Sequence, residues 1–234
     1  MSKKVKIYIF GSMCSGTNLM YNIIESHIKT TMQISLPSDI EVTQSEIWKH
    51  TTNKNIIEKQ LKLNNKDKNN NKTVGCIFMY KNIYNWLYSI KKTPYETNIK
   101  RIIDPVIFDN NVYPNAVCLY NSYYNMYKSM LTNTNNIFID YYKIIQEDKN
   151  KCCDYINKKL MNAFGFSIEN DIIIKQLNIP SKNHGDPVKN SLEALNKYES
   201  TQSLVRNYIN KYTKLGMYID NSIINYYEEE EEEE

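Results

Sequence analysis

The chain has 234 residues, 41% of them hydrophobic and 24% charged, which suits one well-buried domain and is too short for two comfortable ones. The net charge of +3 includes an unbroken glutamate run over residues 228–234, so the remaining body is more basic and suits an anionic ligand. Cys14, Cys76, Cys118, Cys152 and Cys153 form no CxxC pair and no metal-ligand spacing, which argues against a disulfide framework. No stretch approaches the roughly 18 apolar residues of a membrane span, and the apolar run after Lys3, Lys4 and Lys6 is too short for a signal peptide. The expectation is a soluble, cytoplasmic protein.

In chain order, residues 5–11 read as an apolar strand entering a tight loop bracketed by Gly11 and Gly16. Leu19, Met20, Ile23, Ile24 and Ile28 then share one helical stripe. A strand, a small-residue loop and a helix N-terminus in succession make a site for phosphate-like anions, because backbone N–H groups converge and the helix dipole adds positive charge. The nearest general motif is G-x-x-x-x-G-K-[ST], but Thr17 and Asn18 replace its Lys-Ser/Thr pair. That substitution weakens an ATPase or GTPase reading. The plain alternative is a tight βα turn with no ligand.

Residues 35–45 read as a loop around Pro37 and Asp39, and 46–50 as a short strand or turn carrying Trp48-Lys49-His50. Residues 52–72 read as a polar, low-complexity surface insertion around one weak helix at 56–63. The nearly continuous apolar run 73–80 predicts a central parallel strand, followed by a helix over 82–92. Residues 105–114 read as an irregular lid or substrate-side segment, 116–132 as a Tyr-rich helix and 136–140 as another core strand. A helix over 148–164 ends at Gly165, residues 179–187 are turn-rich, and 201–215 is an amphipathic helix. Alternating strands and helices predict a single α/β domain over 1–227 with a mainly parallel sheet of about five strands. The acidic run 228–234 reads as a disordered tail.

Two segments together carry a family resemblance. Ser15-Gly16-Thr17 matches the core of the 5′-phosphosulfate loop, G-x-P-K/R-S-G-T, of sulfotransferases that use 3′-phosphoadenosine 5′-phosphosulfate (PAPS). Lys81-Asn82, with Ser89 eight positions after the lysine, resembles their V-x-R-N/D-P segment and its serine, which hold the cofactor's 3′-phosphate. More loosely, Trp48-Lys49-His50 resembles their K-T-H or W-K-H segment, residues 136–146 their Y-E-D-L segment, and residues 181–187, with Lys182, their late Gly-Asp loop. Cys14 stands where the family has a basic residue, and Ile83 where it has a proline.

The resemblance implies a three-layer P-loop NTPase-like fold and sulfuryl transfer from PAPS to a hydroxyl or amine acceptor, without a metal. It assigns cofactor contacts to Ser12, Met13, Cys14, Ser15, Gly16, Thr17, Asn18, Lys81, Ser89 and Lys182. It makes His50 the general base, with Lys49 compensating for Cys14 at the bridging oxygen. The expected partner is a small-molecule or carbohydrate acceptor rather than nucleic acid. Two alternatives stay open: an inactive nucleotide-binding protein of the same fold, and a nucleotide or nucleoside kinase.

Overall fold

The computed structural model describes residues 4–33, 39–43, 46–65, 72–92, 101–146, 148–179 and 192–229. Its elements run β1 (Lys4–Gly11), α1 (Thr17–Gln33), β2 (Ile40–Thr43), α2 (Lys54–Asn65), β3 (Lys72–Tyr80) and α3 (Ile83–Lys92). They continue with β4 (Val106–Phe108), β5 (Asn111–Tyr113), α4 (Ala116–Met130), β6 (Asn136–Asp140), α5 (Tyr141–Ile144) and α6 (Lys149–Phe164). The last are α7 (Asn170–Leu177), α8 (Leu192–Tyr212), a 3₁₀ turn (Leu215–Tyr218) and α9 (Asn221–Glu229).

The central sheet is wholly parallel, in the order β2-β1-β3-β6. Every residue of β1 after Lys4 is buried, as is every residue of β3 after Lys72, which explains their mainly apolar sequences. Alternate residues of these strands feed two separate cores. Val5, Ile7, Ile9, Ile77 and Met79 pack with α1, α6 and α7, whereas Tyr8, Phe10, Cys76, Phe78 and Tyr80 pack with α2, α3, α4 and α9. Helices thus cover both faces. From β1 the chain first steps outward to β2 and then returns across β1 to β3, so its direction reverses between β1 and β3. In open α/β sheets that reversal opens a crevice beyond the carboxyl ends of the two strands.

Four expectations are corrected. The parallel sheet has four strands among the described residues, not about five, and the remaining strand pair is a separate antiparallel hairpin, β4-β5. That hairpin occupies most of the segment expected to be an irregular lid; Asp109 and Asn110, both at positive φ, make its turn. Within the supposed loop 35–45, β2 pairs with β1 from Val5↔Ile40 to Tyr8↔Thr43. Residues 46–50 form bends and a turn. The supposed surface insertion contains α2, which buries Ile57 and Leu61 in the core, so residues 54–65 are part of the domain body.

The local signals of α6 hold well. Asp148 caps it by accepting from Asn150 and Lys151 N–H, and Gly165 ends it in the left-handed region at φ 77°. No helix among the described residues is long and apolar enough to cross a membrane.

Candidate functional site

The loop between β1 and α1 turns through two left-handed residues, Cys14 at φ 62° and Gly16 at φ 92°. A Cβ on Gly11 would collide with Ser15 Oγ, and one on Gly16 would lie 2.7 Å from the Tyr141 ring. The two bracketing glycines are therefore required by close approach, and Gly16 by its backbone angle as well. Inside the loop, Ser15 Oγ donates to the Ser12 carbonyl at 2.6 Å, and Ser12 Oγ lies 2.8 Å from Tyr124 Oη. Trp86 Nε1 donates to the Met13 carbonyl at 2.8 Å.

The Ser12 and Ser15 hydroxyls thus knit the loop to the body rather than facing outward. What the loop offers a ligand is main chain. Among the described residues the Cys14 and Gly16 N–H groups have no acceptor, and the α1 N-terminus follows directly. Asn18 is exposed at the first turn of α1 and accepts a hydrogen bond from Lys49 Nζ.

Lys81 directly follows β3 and packs against that loop. It is only 8% exposed, and its ammonium donates to Ser89 Oγ at 2.9 Å and to the Cys14 carbonyl at 3.2 Å. The Tyr141 ring lies 4.9 Å from Nζ. Among the described residues no carboxylate pairs with it. Burial consequently pushes the Lys81 ammonium down to about 8. Ser89, one turn past Asn85, also donates to the Asn85 carbonyl at 2.9 Å, which holds its oxygen toward the lysine. Lys81 and Ser89 thus come together at the rim of the loop, on the same side of the sheet.

His50 reaches the same place from the segment after β2. Its Nδ1 is 2.7 Å from the Gly11 carbonyl. A carbonyl only accepts, so Nδ1 carries the proton and Nε2 keeps its lone pair. Burial pushes His50 down to about 4, with the nearby Lys49 charge acting in the same direction, so the ring is neutral at pH 7. The segment is pinned from three sides. Gly11 N–H donates to the Lys49 carbonyl at 3.1 Å, Tyr123 Oη donates to the His50 carbonyl at 2.8 Å, and Asp109 accepts from both Thr51 and Thr52. Glu46, held by buried Lys6 and by Tyr8 at 2.5 Å each, anchors its start.

Of the residues predicted from sequence, the loop 12–18, Lys49, His50, Lys81 and Ser89 come together beyond the carboxyl ends of β1 and β3. Lys182 lies outside the described residues, as does all but the first residue of the turn-rich segment 179–187. Three contributors were missed: Tyr124, Trp86 and Tyr141. The first two sit on helical stripes that read as packing, and only the rule that a buried Tyr or Trp seeks a partner for its polar tip hinted at more. No protein-family model matches the chain, and no curated protein matches it either.

Chemically, the crevice combines convergent main-chain donors, two lysines and a neutral imidazole with a free acceptor nitrogen. The donors and ammonium groups suit an anion with distributed negative charge, and the imidazole can take a proton from a neighbouring hydroxyl or amine.

Proposed function

We propose that this chain is a sulfotransferase that moves a sulfuryl group from PAPS to a hydroxyl or amine acceptor. The observation that carries the reading is the buried Lys81 ammonium, facing the loop at the β1/β3 reversal with no carboxylate among the described residues to balance it. A buried unpaired charge is costly, and a dianionic ligand in the crevice would relieve that cost. Supporting it, three of the five segments that resemble family motifs, the loop 12–18, Lys49-His50 and Lys81, follow the carboxyl ends of the adjacent parallel strands β1, β2 and β3.

In this reading the loop N–H groups and the α1 N-terminus hold the 5′-phosphosulfate, while Lys81 and Ser89 hold the 3′-phosphate. Lys49, reaching across to Asn18, holds charge that develops on the bridging oxygen as the sulfur–oxygen bond breaks. His50 Nε2 accepts the proton of the acceptor as its oxygen or nitrogen bonds to sulfur. Adenosine 3′,5′-bisphosphate leaves with the bridging oxygen. A loose, in-line transfer of this kind depends chiefly on positioning and electrostatics, so a weakly basic neutral imidazole suffices for a proton lost late.

The test is thermal unfolding with adenosine 3′,5′-bisphosphate, ATP or AMP, followed by a sulfate-transfer assay over phenolic, amine and carbohydrate acceptors. At a hundredfold excess over Kd the bisphosphate should add about 2.7 kcal/mol of stability. Lys81→Ala should abolish this gain. Equal stabilisation by AMP, or none by the bisphosphate, would defeat the proposal.

A second reading has its own observation. Cys14 replaces the family's basic residue, and its carbonyl accepts from Lys81, so the chain binds the nucleotide without turning it over. Bisphosphate binding with no transfer to any acceptor would select that reading.

A further inference from the structure

A second cavity lies at the opposite end of the sheet, where strands begin rather than end. Open on one side to solvent, it holds about 610 Å³ between the amino ends of β1 and β2, the last turns of α1 and the end of α6. That volume is in the range of small-molecule sites.

Three features give it a chemical character. In a parallel α/β fold the helices that follow strands finish at the amino edge of the sheet, and here α1 and α6 both do so. Each helix end carries about half a negative charge on its unsatisfied carbonyls, so two such ends turn the same cavity electronegative. Asp39 adds a full carboxylate at the wall, and among the described residues no ion pair engages it. Among the described residues that line it, none is a lysine or arginine. Among the described lining residues His27 is the one able to become cationic, and burial lowers its pKa, which favours the neutral ring.

The wall is also flat. His27 and Phe166 stack with their planes 11° apart and ring centroids 5.9 Å apart. Such a pair offers a π surface to a planar or cationic group. Asn135 and Asn162 also line it.

We propose that this cavity is a binding site for a small planar cation, an amidine or guanidine, separate from the anion site at the other end of the sheet. The pairing follows from the architecture, in which the helix ends of one sign face the carboxyl edge and those of the other sign face the amino edge.

Benzamidine and benzamide form the test pair, because they share shape and differ in charge. Amide chemical shifts of the isotopically labelled chain, titrated with each at constant ionic strength, should move at His27, Asp39 and Phe166. Benzamidine should bind about tenfold more tightly than benzamide. Asp39→Asn should weaken benzamidine about threefold and leave benzamide unaffected. Thr31→Trp, which fills the space, should abolish both, and Lys81→Ala should change neither. Equal affinity for the two probes, no binding of benzamidine, or an unchanged benzamidine affinity in Asp39→Asn would overturn the proposal.

Discussion

At Lys81 burial and charge oppose each other, and the opposition is measurable. Its folded-state pKa of about 8 lies below the ordinary 10.5, so between those values the unfolded chain carries a proton that the folded chain lacks. Stability contributed at this position must then rise with pH from about 8 to 10.5. Lys81→Met should be more stable than the parent at pH 7 and should lose that rise, as read from denaturant unfolding at several pH values. The same variant should lose bisphosphate affinity, the usual conflict between a stable core and a working site. In the parent chain, a bound anion raises the lysine pKa. Affinity should therefore be greatest below pH 8 and weaken about tenfold per pH unit above it, measured by calorimetry.

His50 predicts the opposite limb. Held down to about 4, it loses its free lone pair only in strong acid, so the acid limb of turnover should sit near pH 4 rather than 6.5. His50→Ala should lower turnover by about 10²–10⁴ and leave bisphosphate binding intact.

Among the elements, α4 separates two kinds of buried tyrosine. Tyr124 Oη accepts from Lys81 N–H at 3.2 Å and meets Ser12 Oγ, joining the heads of β1 and β3. Tyr127 Oη, one turn on, is buried without a partner among the described residues. Tyr124→Phe should cost about 1–2 kcal/mol, whereas Tyr127→Phe should be neutral or stabilising by about 1 kcal/mol, because the first orphans partners and the second removes an orphan. In the loop, Gly16→Ala faces both φ 92° and the Tyr141 ring. It should cost about 2 kcal/mol or more in chemical unfolding and displace the loop from Lys81.

Elements with strong local signals were legible in the sequence: β1 and its glycine loop, β3, α3, α4, β6, and α6 between its Asp148 and Gly165 caps. β2 was not. It is four residues long and owes its existence to pairing with β1, behind the Pro37 and Asp39 breakers. α7 carries Ile172, Ile173 and Ile174 in a row, a run without a period, and only Ile173 and Leu177 are buried, against the α1–α6 layer. α9 exists because Ile223 and Tyr227 cover Tyr80 and Tyr124. The site was half legible for the same reason. Residue types and spacings mark the loop, Lys81, Ser89 and His50, but the Trp86, Tyr124 and Tyr141 contacts that bind them together join positions dozens of residues apart.

On the scale of the whole molecule, the sheet is a partition between unlike cores. The α3–α4 side is dominated by stacked and edge-on rings, including Trp86, Tyr120, Tyr123, Tyr124, Tyr127 and Tyr227. The α1–α6 side is mainly isoleucine, leucine and methionine. Both tryptophans of the chain fall on the aromatic side and next to the crevice: Trp86 through its bond to the Met13 carbonyl, Trp48 edge-on to the His50 ring at 5.9 Å. Indole emission is therefore a built-in optical gauge of the glycine loop and its histidine. A ligand entering there changes colour or brightness, while loosening of the aliphatic half goes unseen by the same light.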